Sequence, residues 1–245
     1  MLFRSGGSAM EDPAATQGCL RSMATLHRLG VPLVLVHGGG KPIDRAMAEA
    51  GLTPKKVAGR RYTDKATLEI VVRVLKDEIN VGLVNSLNEL GSQAKAVSEA
   101  MLGERLSLPG PDGKPIDLGF VGTVSEVSLS KLRHNLTRHT IPVVPSLALD
   151  TSGGWLNVNA DTAAAAVAGS LGADRAIFLT DTPGVLRDRT NTASLIPHLT
   201  DTGCRELIAK GIIDGGMVPK VEACFEALAA GAKSALILDG RVPYS

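Results

Sequence analysis

Short, continuous apolar runs alternate along the chain with longer stretches of helical period. Residues 31–36 (VPLVLV) are rich in β-branched side chains and end at glycines, which predicts a buried strand. Residues 141–144, 176–179 and 234–238 predict three more. Their apolarity is continuous rather than alternating, as in parallel strands covered on both faces. Asp12-Pro13 places a capping carboxylate before a proline and opens a helix to about residue 29. Asp64 opens another that runs towards residue 90, with a break expected near Gly82. Residues 128–138, 161–171 and 219–230 also read as helices. Strands alternating with helices imply an α/β fold with a mostly parallel sheet.

Residues 103–124 depart from this rhythm. Pro109-Gly110-Pro111-Asp112-Gly113 is a turn flanked by short apolar pieces, and predicts a β-hairpin over part of the first half. The polar stretch 150–155 (DTSGGW) divides a first half, 1–150, from a second, 151–245.

Composition removes several functions. The 245 residues carry a formal net charge of +1, against the basic surface that nonspecific nucleic-acid or acidic-membrane binding needs. Four Phe, two Tyr and one Trp are too few for a base-stacking platform. Cys19, Cys204 and Cys224 have no zinc spacing and read as free thiols of a reducing compartment. No apolar run approaches the ~18 residues of a membrane span. A cytoplasmic protein is expected.

Candidate chemistry sits in the turns. Ser5-Gly6-Gly7-Ser8 precedes a helix, and His37-Gly38-Gly39-Gly40 joins a strand to the next helix. Such turns let backbone N–H groups approach an anion, although either alone also fits a tight turn that binds nothing. Neither is GxGxxG nor GxxxxGK[ST], which disfavours a dinucleotide oxidoreductase and a Walker ATPase. In Asn157-Val158-Asn159-Ala160-Asp161 the carboxylate is either a helix cap or a ligand contact. Asp181-Thr182-Pro183-Gly184-Val185-Leu186 follows a strand, where open α/β sheets hold ligands. Asp214-Gly215-Gly216-Met217-Val218-Pro219-Lys220 is a glycine turn with a lysine beyond it, suited to phosphate. Backbone nests, a few cations and one organising carboxylate, without a nucleophile–base pair, suit phosphoryl transfer.

GGSAM, HGGG, GRRYTD, LNVNADTAAAAVA, LTDTPGVL, IIDGGMVPKVEAC and ILDGR, in that order over nearly the whole chain, resemble the amino-acid kinase family. Within it they are most similar to the arginine-pathway branch. The resemblance implies an open αβα sandwich with a mostly parallel central sheet. Its first half would bind N-acetyl-L-glutamate and its second half ATP with Mg²⁺. The γ-phosphate would pass to the side-chain carboxylate, giving N-acetylglutamyl 5-phosphate. Gly39 and Gly40 would hold the acyl-phosphate region, Arg61 would clamp the α-carboxylate, and Asn157 would help bind the acceptor. No contact is implied for Arg60. Lys220 would neutralise the phosphoryl group in transit and Asp161 would orient the cations around it. Gly7, Asp181, Thr182, Gly184, Val185, Leu186, Ile213, Asp214, Gly215 and Met217 would line the nucleotide site.

The family carries lysine where this sequence has Arg4, which is therefore its candidate counterpart in catalysis. Only three residues precede Arg4, so the first strand is expected to be nearly absent. The ATP half is expected to stop short of the family's last helix and strand. No regulatory N-terminal helix is seen, and an arginine-insensitive homodimer is the expectation. A sibling acting on N-acetyl-aminoadipate would share almost every motif. A catalytically impaired, ligand-binding regulator on the same fold is the alternative from another class.

Overall fold

The computed structural model describes residues 1–5, 12–110 and 113–242. β1 (Leu2–Ser5) leads to α1 (Pro13–Arg28), whose first turn is closed by the Asp12 carboxylate accepting from Ala14 N–H. β2 (Val34–His37) passes through two glycines into α2 (Gly40–Glu49). The strand starts later than its apolar run because Pro32 offers no N–H to a ladder. β3 (Lys56–Val57) and β4 (Arg60–Arg61) form a tight hairpin whose turn residues, Ala58 and Gly59, lie at φ 48° and 74°. Positive φ at both central positions matches the twist of the flanking strands.

α3 (Lys65–Val72), capped by Asp64, runs through a π-helical segment at Arg73–Ile79 into α4 (Asn80–Glu89). The break expected at Gly82 is not there. Gly82 lies inside α4 with open space around it, and the irregularity falls a turn earlier. β5 (Ala94–Ala96) and β6 (Met101–Arg105) follow. The small ladder of β7 (Leu108–Pro109) and β8 (Pro115–Ile116) sits between β6 and β9 (Val121–Val127). β6 and β9 pair antiparallel, so the hairpin of 103–124 is present and longer than predicted. Pro111 and Asp112 of its turn lie outside the described residues. α5 (Leu129–Thr137), β10 (Ile141–Pro145), β11 (Leu147–Leu149) and β12 (Trp155–Val158) come next. The polar turn of 150–154, built on the Asp150 carboxylate, joins β11 to its antiparallel partner β12. α6 (Ala160–Leu171), β13 (Ala176–Thr180), α7 (Asp201–Ala209), α8 (Val218–Ala229) and β14 (Ala235–Asp239) complete the chain.

Six strands form one all-parallel sheet in the order β14-β13-β1-β2-β10-β5. Against expectation, β1 is a full central strand. Leu2 pairs with both Val34 and Ala176, and Arg4 with both Val36 and Phe178. Neighbours on both sides supply the ladder, so a short strand suffices. Leu20, Met23, Leu83 and Leu87 from α1 and α4 cover one face. The alanines of α6, with Ala223 and Ala227 of α8 and Leu132 of α5, cover the other. β6, β9, β12 and β11 close into a small barrel beside the sheet. No helix among the described residues is long and apolar enough to cross a membrane.

Candidate active site

Ligands in open parallel sheets sit beyond the carboxyl ends of the strands. Two cavities lie there. A cavity of about 280 Å³ is lined by Arg4 of β1, the glycines after β2, the β3–β4 hairpin and the segment 157–160. A second, of about 530 Å³, is lined by Thr180 at the end of β13, residues 181–189 and the turn before α8.

Asp161 stands at the junction. It is 4% exposed and lies in the first turn of α6. Asn159, not Asp161, caps that helix, its amide oxygen accepting from the N–H groups of Asp161 (2.8 Å) and Thr162 (3.2 Å). The alternative left open in the sequence is thereby resolved, and the Asp161 carboxylate is free to hold cations. Arg4 Nε lies 2.7 Å from its Oδ1, close but off the hydrogen-bond axis. Lys220 Nζ donates to its Oδ2 at 3.3 Å. Arg4 lines the smaller cavity and Lys220 the larger.

A buried and a half-buried cation thus share one carboxylate. Burial holds the Arg4 pKa below its usual value, with Asp161 opposing. The Lys220 pKa is lowered by burial and by the Arg4 charge, and raised by Asp161 and Asp181. Arg4 Nη1 is buried with no hydrogen-bond partner among the described residues. An unsatisfied buried donor of a charged group is costly. An anion placed between the cavities would satisfy it.

The glycine turn after β2 is pinned by a buried network. His37 Nδ1 donates to Gly38 O at 3.2 Å, and Asn80 Nδ2 donates to His37 Nε2 and Val143 O, both at 3.0 Å. This assignment follows from the amide acting as donor. Burial pushes the His37 pKa down to about 4, so the ring is neutral. A side chain at Gly38 would meet Ala160 Cβ at 2.9 Å, and one at Gly39 would meet Ile79 Cδ1 at 2.6 Å. The close approach of Gly38 to Ala160 at the start of α6 favours glycine there, whereas at Gly39 the atoms met are the flexible ends of Ile79 and Leu75.

Gly39, Gly40, Arg61 and Asn157 line the smaller cavity. Arg61 is already engaged. Its Nη1 lies 2.5 Å from Asp44 Oδ1, and its Nη2 donates to Gly40 O at 3.0 Å. Asn157 Nδ2 donates to Thr63 Oγ1 at 3.0 Å. Asp181, Thr182, Gly184, Val185 and Leu186 line the larger cavity, with Ile213, Asp214, Gly215 and Met217 on the opposite wall. Gly7 lies outside the described residues. Arg4 does not fray at a terminus; it is buried in the central strand.

Sequence reasoning missed Lys56, Ser146, Arg189 and Thr180, and gave Arg60 no contact although it lines the smaller cavity. The density of charge at Lys55, Lys56, Arg60 and Arg61 was the available signal for the first cavity. Arg189 forms an ion pair with Asp214 across the larger one. No sequence pattern links those two residues.

A family model described as the amino acid kinase family matches residues 5–239. An acetylglutamate kinase of Synechococcus elongatus is 39% identical over 245 residues, which is 100% of this chain and 80% of the relative. An acetylglutamate kinase of Brachyspira hyodysenteriae is 38% identical over 254 residues, covering 100% of this chain and 84% of the relative. Among solved structures, smu.665 from Streptococcus mutans UA159 superposes with a TM-score of 0.83 at 29% identity. That match covers 97% of this chain and 94% of the other.

Proposed function

The chain belongs to the amino acid kinase family, and from that premise we propose that it transfers the γ-phosphoryl group of ATP to the side-chain carboxylate of N-acetyl-L-glutamate. Its full-length similarity to acetylglutamate kinases supports this activity, the second step of arginine biosynthesis. The observation that carries the reading is the Arg4–Asp161–Lys220 junction, with one cation facing each cavity.

The smaller cavity takes the acyl amino acid and the larger takes ATP. A carboxylate oxygen of the acceptor forms a bond to the γ-phosphorus. The bond from phosphorus to the bridging oxygen breaks, and its electron pair leaves with ADP. The nucleophile is already ionised, so no proton is removed from it. Catalysis then rests on alignment and on charge placed where it develops. Lys220 reaches the phosphoryl group from the nucleotide side, and Arg4 presents its free Nη1 from the acceptor side. Asp161 touches neither substrate; it positions both cations. Asn157 and the N–H groups of Gly39 and Gly40 orient the acceptor. Gly7 belongs to the nucleotide site in this reading.

Mg²⁺ supplies further charge neutralisation on the phosphates when bound. Among the described residues no three His, Cys, Asp or Glu side chains group as a metal cage. The donor set fits an ion held mainly by phosphates and water, with Asp181 at the cavity wall able to accept from a metal-bound water. The same reading places the protein in the cytoplasm, consistent with three free cysteines, and makes it a homodimer.

ADP release measured with and without N-acetyl-L-glutamate tests the proposal. Release should depend on the acyl amino acid and exceed that with N-acetyl-aminoadipate, whose extra methylene is worth about 1–3 kcal/mol in discrimination. Faster turnover of the aminoadipate compound would reassign the acceptor. ATP binding without turnover of either would make the chain a ligand-binding protein on this fold.

A further inference from the structure

Thr63 lies between β4 and α3, with no solvent exposure and outside the lining of either cavity. Its hydroxyl nevertheless touches two residues that line the smaller one. Oγ1 donates to Arg61 O at 2.9 Å and accepts from Asn157 Nδ2 at 3.0 Å.

A count of hydrogens gives this contact its meaning. A threonine hydroxyl has one proton. Arg61 O can only accept, so the proton goes there. The hydroxyl can then only accept from Asn157, and the atom facing it must be the amide nitrogen. The two ends of an asparagine amide have nearly the same shape, and a network of this kind decides which end points where. Asn157 Oδ1 and its second Nδ2 hydrogen are thereby left in a fixed order for whatever enters the cavity.

The backbone holds both partners to one anchor. Phe120 N–H donates to Thr63 O at 2.6 Å, and Asn157 N–H donates to Phe120 O at 2.9 Å. Thr63 N–H donates in turn to Leu118 O at 3.2 Å. Segment 118–120 therefore ties the two main chains together. What it leaves free is the rotation of the Asn157 side chain, and the Thr63 hydroxyl removes that freedom.

We propose that Thr63 is a positioning residue for the acceptor, its single hydroxyl proton locking the Asn157 amide in the one orientation that binds the acyl amino acid. The inference rests on the acceptor reading above and extends it to a residue that does not touch substrate. Without the lock the amide samples several rotamers and both flips, and only a fraction of molecules is ready to bind. Apparent affinity falls by that fraction.

Thr63→Val keeps the shape and removes the hydroxyl. It should raise KM for N-acetyl-L-glutamate about three- to tenfold, while kcat and KM for ATP stay within about twofold. Thr63→Ser restores the hydroxyl and should restore KM. In an Asn157→Ala background Thr63→Val should change KM no further, because nothing is left to orient. An unchanged KM in active Thr63→Val would overturn the proposal. So would a Thr63→Ser variant as impaired as Thr63→Val, an undiminished effect in the Asn157→Ala background, or an equal loss in kcat and in KM for ATP.

Hydrogen exchange at the Asn157 side-chain amide, followed by ¹⁵N NMR on the ligand-free chain, tests the lock without turnover. One Nδ2 proton should exchange more slowly than its twin in the unaltered protein, and equal exchange of the two would overturn the lock. The same measurement decides the matter if Thr63→Val does not fold. Should the unaltered chain fail to turn over N-acetyl-L-glutamate, the functional reading falls separately and the exchange asymmetry still upholds or overturns the lock.

Discussion

Removing the charge of Asp161 leaves buried Arg4 and half-buried Lys220 beside each other without compensation. Breaking a buried ion pair on one side costs about 3–5 kcal/mol. Asp161→Asn should therefore lower the denaturation midpoint markedly and reduce kcat, measured by urea unfolding and steady-state kinetics on the same preparation. Lys220→Ala removes a cation instead of stranding two. It should cost about 10²–10³ in kcat with little change in KM for the acyl amino acid, as for other donors aimed at developing charge. A kcat within threefold of the unaltered enzyme would remove Lys220 from the mechanism. His37 offers a pH signature. Its folded pKa, about 4, lies below the unfolded value near 6.5. Below pH 6.5 the unfolded chain takes a proton that the folded one refuses. The His37 contribution to stability is thus complete above about 6.5 and is lost as pH falls towards 4, at roughly 1.4 kcal/mol per pH unit. Subtracting the stability curve of His37→Gln from that of the unaltered protein should isolate this slope.

Two helices hold the junction together. Asp161 lies in the first turn of α6 and Lys220 in the first turn of α8, and Gly169 of α6 faces Ala230 at the C-terminal cap of α8. A side chain there would fall 2.2 Å from Ala230 Cβ and 3.0 Å from its carbonyl carbon. Backbone cannot swing aside as the end of a long side chain can. Gly169→Ala should cost about 1–3 kcal/mol by overpacking and lower kcat by displacing Lys220 from Asp161. Thermal unfolding and kinetics together check it; an unchanged midpoint would show that the helices part freely. Elements with continuous apolar runs, such as β10 and β13, were legible in the sequence. So was α1, from Asp12 and Pro13 at its start. The π-helical segment 73–79 was not, since a π turn keeps the apolar residues of an ordinary helix and differs only in its backbone bonding. The Asn159 cap was ambiguous because asparagine and aspartate serve equally well at that position.

At the scale of the molecule, the six parallel strands gather side chains from distant parts of the chain. Arg4, Asp161 and Lys220 span almost the whole sequence and meet within one carboxylate's reach. Their residue types and motifs were legible one by one. Their meeting depended on β1 lying between β2 and β13, which three apolar residues could not announce. Motif resemblance likewise pointed to Arg61 and passed over Arg60 and Lys56, whose places come from a hairpin register. The central claim is that the junction passes a phosphoryl group from the larger cavity to a carboxylate in the smaller. Hydroxylamine converts an acyl phosphate into a hydroxamate, so trapping reads the new bond itself. With ATP, Mg²⁺ and N-acetyl-L-glutamate, the unaltered chain should give hydroxamate and ADP in equal amounts, and Lys220→Ala should give almost none of either. ADP formed without hydroxamate, or in equal amount when the acyl amino acid is left out, would contradict the account.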